Sequence, residues 1–175
     1  MRPSWDEYWL AIAEKVGARA DCTRRKAGAI IVVNQCIVAQ GYNGAPPGEP
    51  GCLTESACPR GRHMPHQVVH ATGWLANNNP IITETTRCKW DGKPWPCPDV
   101  VAGQSSYDSG PGKCIAVHAE ANALLRASWS DMNAAAVMYM WPGAPCDGCK
   151  RLISATQIGR IVWPLEDGQV GEWTR

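Results

Sequence analysis

The sequence predicts an α/β fold, from three features of its 175 residues. A capped amphipathic segment opens the chain, two β-branched runs joined by a short turn follow, and the last third alternates helix-like with strand-like stretches. Such alternation favours parallel neighbours in a sheet with helices packed on it. A chain of this length buries a real core unaided, so a bound metal is free to serve chemistry rather than rescue the fold.

Ser4 stands three positions before Glu7, and Trp5, Tyr8, Trp9, Ile12, Ala13 and Val16 recur at helical spacing, which predicts an amphipathic helix over about 5–18. "AGAIIVV" (27–33), the turn "NQ" and "CIVAQGY" (36–42) read as a β-hairpin with at least one buried face. Residues 45–113 are irregular and rich in proline and glycine, a stretch too long to be structureless inside a compact domain. One short helix is predicted there, in "HMPHQVVHATGWLANN", and the remainder reads as an insertion held by local contacts or a metal. A regular pattern then resumes: helix 118–128, strand 135–141, helix 146–156 and strand 160–164, with a tail too short to fold alone. No repeat, low-complexity tract or linker divides the chain, so residues 1–175 read as one domain carrying an insertion at about 45–113.

Seventeen Lys and Arg against sixteen Asp and Glu leave a net charge of +1, too weak a field to hold a long polyanion. A small substrate is therefore expected in preference to nucleic acid. No run approaches the roughly 18 apolar residues of a membrane span, and no secretory leader pattern is present, so the expected location is soluble and cytoplasmic. Nine cysteines are many for such a protein, and an odd number of them cannot all pair. Thiolates on metal account for them better than disulfides do.

The chemistry concentrates in "CIAVHAEANALL" (114–125) and "PCDGCKRLI" (145–153). Cys146 and Cys149 are one turn apart at a helix start, where the helix dipole favours thiolate over thiol. His118 opens the preceding helix. One imidazole and two thiolates make three ligands for a tetrahedral zinc, and the fourth position is left to water, which the ion renders acidic near neutral pH. Glu120, two residues from His118, is placed to shuttle protons without binding the metal. His-x-Glu followed by Pro-Cys-x-x-Cys is the known signature of zinc nucleobase deaminases. Either half alone is common, as a solvated helix start, a redox pair or half a structural zinc site; both halves, each opening a helix, point to catalytic zinc. A thioredoxin-like redox pair would follow the first strand of its unit, whereas this one follows a late strand and has a histidine and a carboxylate beside it.

With "CTRRKAGAIIV", "GYNGAPPG", "CIAVHAEANALL" and "PCDGCKRLI" in this order, the chain resembles the deoxycytidylate (dCMP) deaminases of the cytidine deaminase superfamily, over roughly residues 5–52 and 113–164. The resemblance implies a three-layer α/β/α fold with a central mixed five-stranded sheet and a long insertion between the second strand and the His-x-Glu helix. It implies zinc on His118, Cys146 and Cys149, with Glu120 as the catalytic residue. It also implies Asn43 on the sugar, Arg24, with Arg25 or Lys26, on the 5′-phosphate, and the Ala119 N–H on the base carbonyl. An arginine fork suits phosphate better than a lysine point charge, which puts Arg24 first. The implied reaction is hydrolytic: activated water adds to C4 of cytosine, Glu120 protonates N3 and then the departing amine, and ammonia and dUMP result. By the same resemblance the protein is a homo-oligomer, commonly a hexamer, activated by dCTP, with Mg2+ accompanying the regulatory nucleotide, and inhibited by dTTP. A second, structural zinc on Cys22, Cys52 and Cys114 is implied from some relatives, its fourth ligand being Cys58, His70, Cys88 or Cys97.

Two departures from the family pattern stand out. The connection "WPGAPC" is about one residue longer than usual, and Ala27 replaces a bulkier residue before Gly28. Beside the dCMP reading stand a free-nucleoside or 5-modified dCMP deaminase, a tRNA adenosine deaminase of the same fold, and a non-catalytic zinc-binding module, for which Glu120 would be dispensable.

Overall fold

The computed structural model describes residues 2–55, 58, 65–75, 79–88, 94 and 113–175. Residues 1–55 with 116–175 form one compact unit and residues 56–115 a second.

In the first unit, α1 (Trp5–Gly17) begins at the Ser4 cap. Glu7 N donates to Ser4 Oγ at 3.3 Å and Ser4 N to Glu7 Oε2 at 2.6 Å, so two first-turn donors are satisfied reciprocally. The hairpin follows as β1 (Gly28–Val33) and β2 (Cys36–Tyr42), joined at Asn34 and Gln35, whose φ of 48° and 60° give the left-handed turn that matches strand twist. Further along are α2 (Ala119–Arg126), a 3-10 turn at Trp129–Asp131, β5 (Val137–Trp141), α3 (Asp147–Ser154), β6 (Arg160–Pro164) and β7 (Val170–Thr174). Each predicted helix and strand of this unit is present, with ends one to two residues inside the predicted bounds where they differ.

The sheet order is β2-β1-β5-β6-β7. Only β5 and β6 pair in parallel; β1 pairs antiparallel with both β2 and β5, and β7 antiparallel with β6. The sheet is mixed, as the resemblance implies, and β5 and β6 are the expected parallel neighbours. Strands β2, β5 and β6 do share one direction, but β5 pairs with β1, so β1 stands between β2 and β5. The tail, which carried no predicted element, is the edge strand β7 and borrows its backbone pairing from β6.

Alternation along the strands sorts residues to two faces. Ala29, Ile31, Met138, Met140 and Ile161 join Ala119, Ala123 and Ile153 of α2 and α3 in one buried cluster. Ile30, Val32, Tyr139 and Val162 join Trp9, Leu10 and Ala13 of α1 in the other. A sheet covered on both faces by helices is the three-layer α/β/α arrangement, and it explains why β1 reads as an unbroken apolar run.

A polar network ties the α1 face to the strands. Arg160 Nη1 and Nη2 donate to Asp6 Oδ1 and Oδ2 at 2.8 and 2.9 Å, Tyr139 Oη donates to Asp6 Oδ1 at 2.9 Å, and Arg160 Nε donates to Glu172 Oε2 at 2.8 Å. The Arg160 guanidinium, with help from Tyr139 and against the opposing effect of burial, holds the Asp6 carboxyl below its ordinary value of 3.8. The side chains of Asp6 and Arg160 are 24 % and 32 % exposed, so solvent screens the pair only in part. A folded-state pKa below the unfolded one contributes stability above about pH 4, lost as pH falls through the folded value. Asp6→Asn is therefore expected to lower stability by about 1–2 kcal/mol at pH 7, with the gap to wild type narrowing toward pH 3. Urea unfolding at both pH values checks this, and a gap that does not narrow in acid would contradict it.

The second unit holds a hairpin, β3 (Pro65–Trp74) with β4 (Pro80–Cys88). The helix predicted over 63–78 is corrected to strand where the residues are described. Val68, Val69 and Thr72 face a segment carrying Ile81, Ile82, Thr83, Thr85 and Thr86, and pairing between two β-branched runs outweighs the weak helical spacing of one. No helix among the described residues is long and apolar enough to cross a membrane.

Candidate active site

The strand directions place the site. Helix α2 starts beyond the carboxyl end of β2, where Gly44 and Val117 bond both ways, Gly44 N to Val117 O at 3.2 Å and Val117 N to Gly44 O at 2.8 Å. Helix α3 starts beyond the carboxyl end of β5, which runs in the same direction as β2. Two helix N-termini on one face of the sheet are thereby brought to one end of it, the usual crevice of an α/β sheet.

His118 is the cap residue of α2 and Cys146 that of α3; both have extended backbone (ψ of 155° and 166°), and neither side chain caps its own helix. Cys149 lies three positions into α3 and is buried. His118 Nδ1 is 3.4 Å from Cys146 Sγ and 3.3 Å from Cys149 Sγ, and the three ligand atoms lie within 4.8 Å of one another. Zinc bonds of about 2.05 Å to nitrogen and 2.3 Å to sulfur at a tetrahedral angle put N and S about 3.6 Å apart, so the donor set has the spacing zinc requires. Among the described residues this is the one group of three or more His, Cys, Asp or Glu side chains so gathered.

Glu120 is on the first turn of α2 and half-buried. Burial pushes the Cys149 thiol well above the ordinary range, and the Glu120 carboxylate and Cys146, both close enough to bond it, push it further. Two thiols and a carboxylate pressed together in a partly buried crevice repel as anions. A divalent cation reverses that balance and deprotonates coordinating thiols, so the cluster's chemistry calls for one.

The remaining predicted residues are placed as follows. Ala119 is buried under β2, and its N–H belongs to the first helical turn, whose donors have no intrahelical acceptor. Asn43 is buried; its Oδ1 accepts from Ala27 N at 2.7 Å and its Nδ2 donates to Arg25 O at 2.8 Å. The asparagine thus fixes the backbone of the arginine-bearing segment. Of the three cations, Lys26 Nζ reaches Ala18 O at the end of α1 at 3.5 Å. Arg24 is exposed. Arg25 extends to the β5–α3 loop, where a Cβ built on Gly143 would lie 3.3 Å from its Nη2. Arg25 is exposed as well, and Asn43 holds the backbone of the segment that carries both arginines.

Cys22 and Cys52 are in the first unit on adjoining segments, since Asp21 Oδ1 accepts from Leu53 N and Thr54 N at 2.7 and 3.0 Å. Cys114, Cys58 and His70 are in the second unit. The side chain of Cys88 and all of Cys97 fall outside the described residues.

Two residues that carried no sequence signal also shape the site. Gly41 lets α2 lie directly on β2, because a Cβ there would collide with Ala119 O and Ala123 N. Asn122 Nδ2 donates to Tyr42 O at 2.8 Å.

Parallel-directed strands that deliver two helix starts to one His/Cys/Cys group, with a carboxylate against the second sulfur, define a zinc-binding centre of the cytidine deaminase-like class. Comparison with known proteins makes the class specific. The cytidine and deoxycytidylate deaminase zinc-binding region matches residues 3–165, and the chain belongs to that family. It is 38 % identical over 165 residues to the deoxycytidylate deaminase of Mycobacterium phage D29, covering 94 % of this chain and 98 % of that protein. It is 28 % identical over 158 residues to the deoxycytidylate deaminase of Enterobacteria phage T4, covering 88 % and 74 %. The deoxycytidylate deaminase of Schizosaccharomyces pombe is 27 % identical over 160 residues, 91 % of this chain but 35 % of that longer protein. In fold, the chain is similar to the crystal structure of dCMP deaminase from the cyanophage S-TIM5 in complex with dCMP and dUMP, with a TM-score of 0.51 at 22 % identity over 92 % of this chain and 81 % of that one.

Proposed function

We propose that this protein catalyses the hydrolytic deamination of dCMP to dUMP and ammonia. The observation that carries the proposal is the His118–Cys146–Cys149 cluster with Glu120 against it, on a chain similar along nearly its whole length to a deoxycytidylate deaminase. His118, Cys146 and Cys149 would hold zinc, and three protein donors are the ligand count of a working rather than a structural zinc. Zinc held by these residues supplies a Lewis acid that makes water nucleophilic near neutral pH.

The chain's own residues do the rest. Glu120 takes a proton from the attacking water, delivers it to N3 as C4 becomes tetrahedral, and carries the second proton to the amino nitrogen as the C4–N bond breaks. Water is consumed, C4 gains its carbonyl oxygen, and the nitrogen leaves as ammonia. The Ala119 N–H orients the base carbonyl. Asn43 retains a second N–H for the sugar while its other contacts hold Ala27 and Arg25. Arg25, beside the Gly143 loop, and exposed Arg24 are the cations for the 5′-phosphate.

The same reading extends to a second, structural zinc with Cys22 and Cys52 among its ligands, supported by the Asp21 clamp that brings their two segments together. It extends to a homo-oligomer, supported by the exposed Leu125, Trp129 and Leu152, and to a cytoplasmic enzyme. Activation by dCTP with Mg2+ and inhibition by dTTP rest on the likeness of the "GYNG" segment to regulated relatives. It treats the inserted second unit as part of one deaminase domain.

Ammonia release from dCMP, CMP, deoxycytidine, dCTP, 5-methyl-dCMP and tRNA tests the function. The expected result is that dCMP has the highest kcat/KM by at least about tenfold over deoxycytidine, the difference an arginine–phosphate contact supplies. Preferred turnover of tRNA would move the assignment to the RNA-acting branch, and no turnover of any substrate would leave a zinc-binding module.

A further inference from the structure

β2 is an edge strand, so every second carbonyl along it points away from β1 and needs another partner. Helix α2 provides two. Asn122 Nδ2 donates to Tyr42 O at 2.8 Å, and Arg126 Nη1 donates to Gln40 O at 3.1 Å. Two strand residues advance about 6.8 Å and four helical residues about 6 Å, so a helix running antiparallel to the strand keeps both bonds. The close approach is possible because Gly41 lies between the two carbonyls.

At the other end of the same stretch, Val117 and Gly44 exchange two backbone bonds. Residues 117–122 are thus fastened to residues 42–44 at both ends, by the backbone at Val117 and by one side-chain amide at Asn122. His118, Ala119 and Glu120 lie between the two fastenings. We infer that Asn122 is a positioning residue for Glu120: its bond to Tyr42 O fixes the rotation and height of the first turn of α2, and so the place from which the carboxylate exchanges protons. This rests on the deaminase reading given above. Asparagine suits the position because its amide presents a donor to a carbonyl, where an aspartate would set acceptor against acceptor and an alanine would leave Tyr42 O without this bond. Arg126, exposed and on the last turn, makes the same kind of bond six residues from Glu120 and holds the helix without setting its first turn.

The test compares wild type, Asn122→Ala, Asn122→Asp and Arg126→Ala on dCMP, with kcat expressed per bound zinc at a temperature well below each Tm. Because a displacement of about 1 Å can lower a rate by about 100-fold, both Asn122 variants are expected to lose about 30- to 100-fold in kcat with KM changed less than about threefold, while Arg126→Ala stays within about threefold. In Asn122→Asp the kcat relative to wild type is expected to rise as pH falls, because the protonated carboxyl regains a donor for Tyr42 O. A merely structural role would lower Tm without moving kcat per zinc or producing that pH trend. The inference is overturned if Asn122→Ala keeps wild-type kcat, if Arg126→Ala loses as much, or if neither Asn122 variant folds. A wild type that releases no ammonia from dCMP overturns the deaminase reading instead, and this inference with it.

Discussion

Glu120→Gln is expected to lower kcat for dCMP by about 1,000-fold or more while the protein keeps its zinc. Glutamine has the size and shape of the carboxylic acid, so the first turn of α2 and the packing of Ala119 beneath it should not move. What is lost is a group that can accept a proton from water and return it to N3 and to the leaving nitrogen. Glu120 is not among the three clustered donors, and its negative charge opposes the ionisation of Cys149, so neutralising it removes a repulsion from the metal group rather than a ligand. Steady-state kinetics on dCMP together with zinc analysis of the same samples checks the claim. A variant that retains both zinc and rate would sink the role assigned to Glu120, and a variant that loses zinc would show that the carboxylate belongs to the metal site.

Cys149→Ala is expected to cost one zinc per chain relative to wild type and to reduce deamination to background. The sulfur is buried and 3.3 Å from His118 Nδ1, so no other described side chain of the group can take its place. Two remaining ligands hold zinc far more weakly than three, and without the ion water is not acidified at neutral pH. Cys36→Ala is the control, since that cysteine is exposed at the start of β2, away from the helix starts that carry the ligands, and its loss should leave zinc and rate unchanged. Restoration of activity to chelator-treated wild type by added zinc, and no restoration in Cys149→Ala, completes the expected pattern. Full activity in Cys149→Ala would mean that the two thiols are not both required.

Local signals were legible where the residues concerned interact with near neighbours. The Ser4–Glu7 box, the "NQ" turn and the starts of both site helices are consequences of bonds spanning a few residues, and each is present as expected. Residues 65–74 carry helical spacing yet form a strand, because that strand is defined by a partner, β4, that periodicity within the segment does not reveal. The same limit applies to Asn43. Its identity and the following glycine are visible in the chain, but the fact that its amide is spent largely on Ala27 and Arg25 depends on β1 and β2 lying side by side.

The chain alone determined the donor chemistry: one imidazole, two thiolates a turn apart and a carboxylate two residues from the imidazole, each at a helix start. Those are short-range properties of residue type and spacing. Only the tertiary structure decided that the two helix starts meet. That meeting requires β2 and β5 to run in the same direction with β1 between them, and α2 to lie against the edge of β2 over Gly41. It also set Arg25 beside the β5–α3 loop and gave Asn122 its carbonyl partner, because both depend on contacts between residues 80 or more positions apart, whose pairing is set by the packed sheet and not by any local preference.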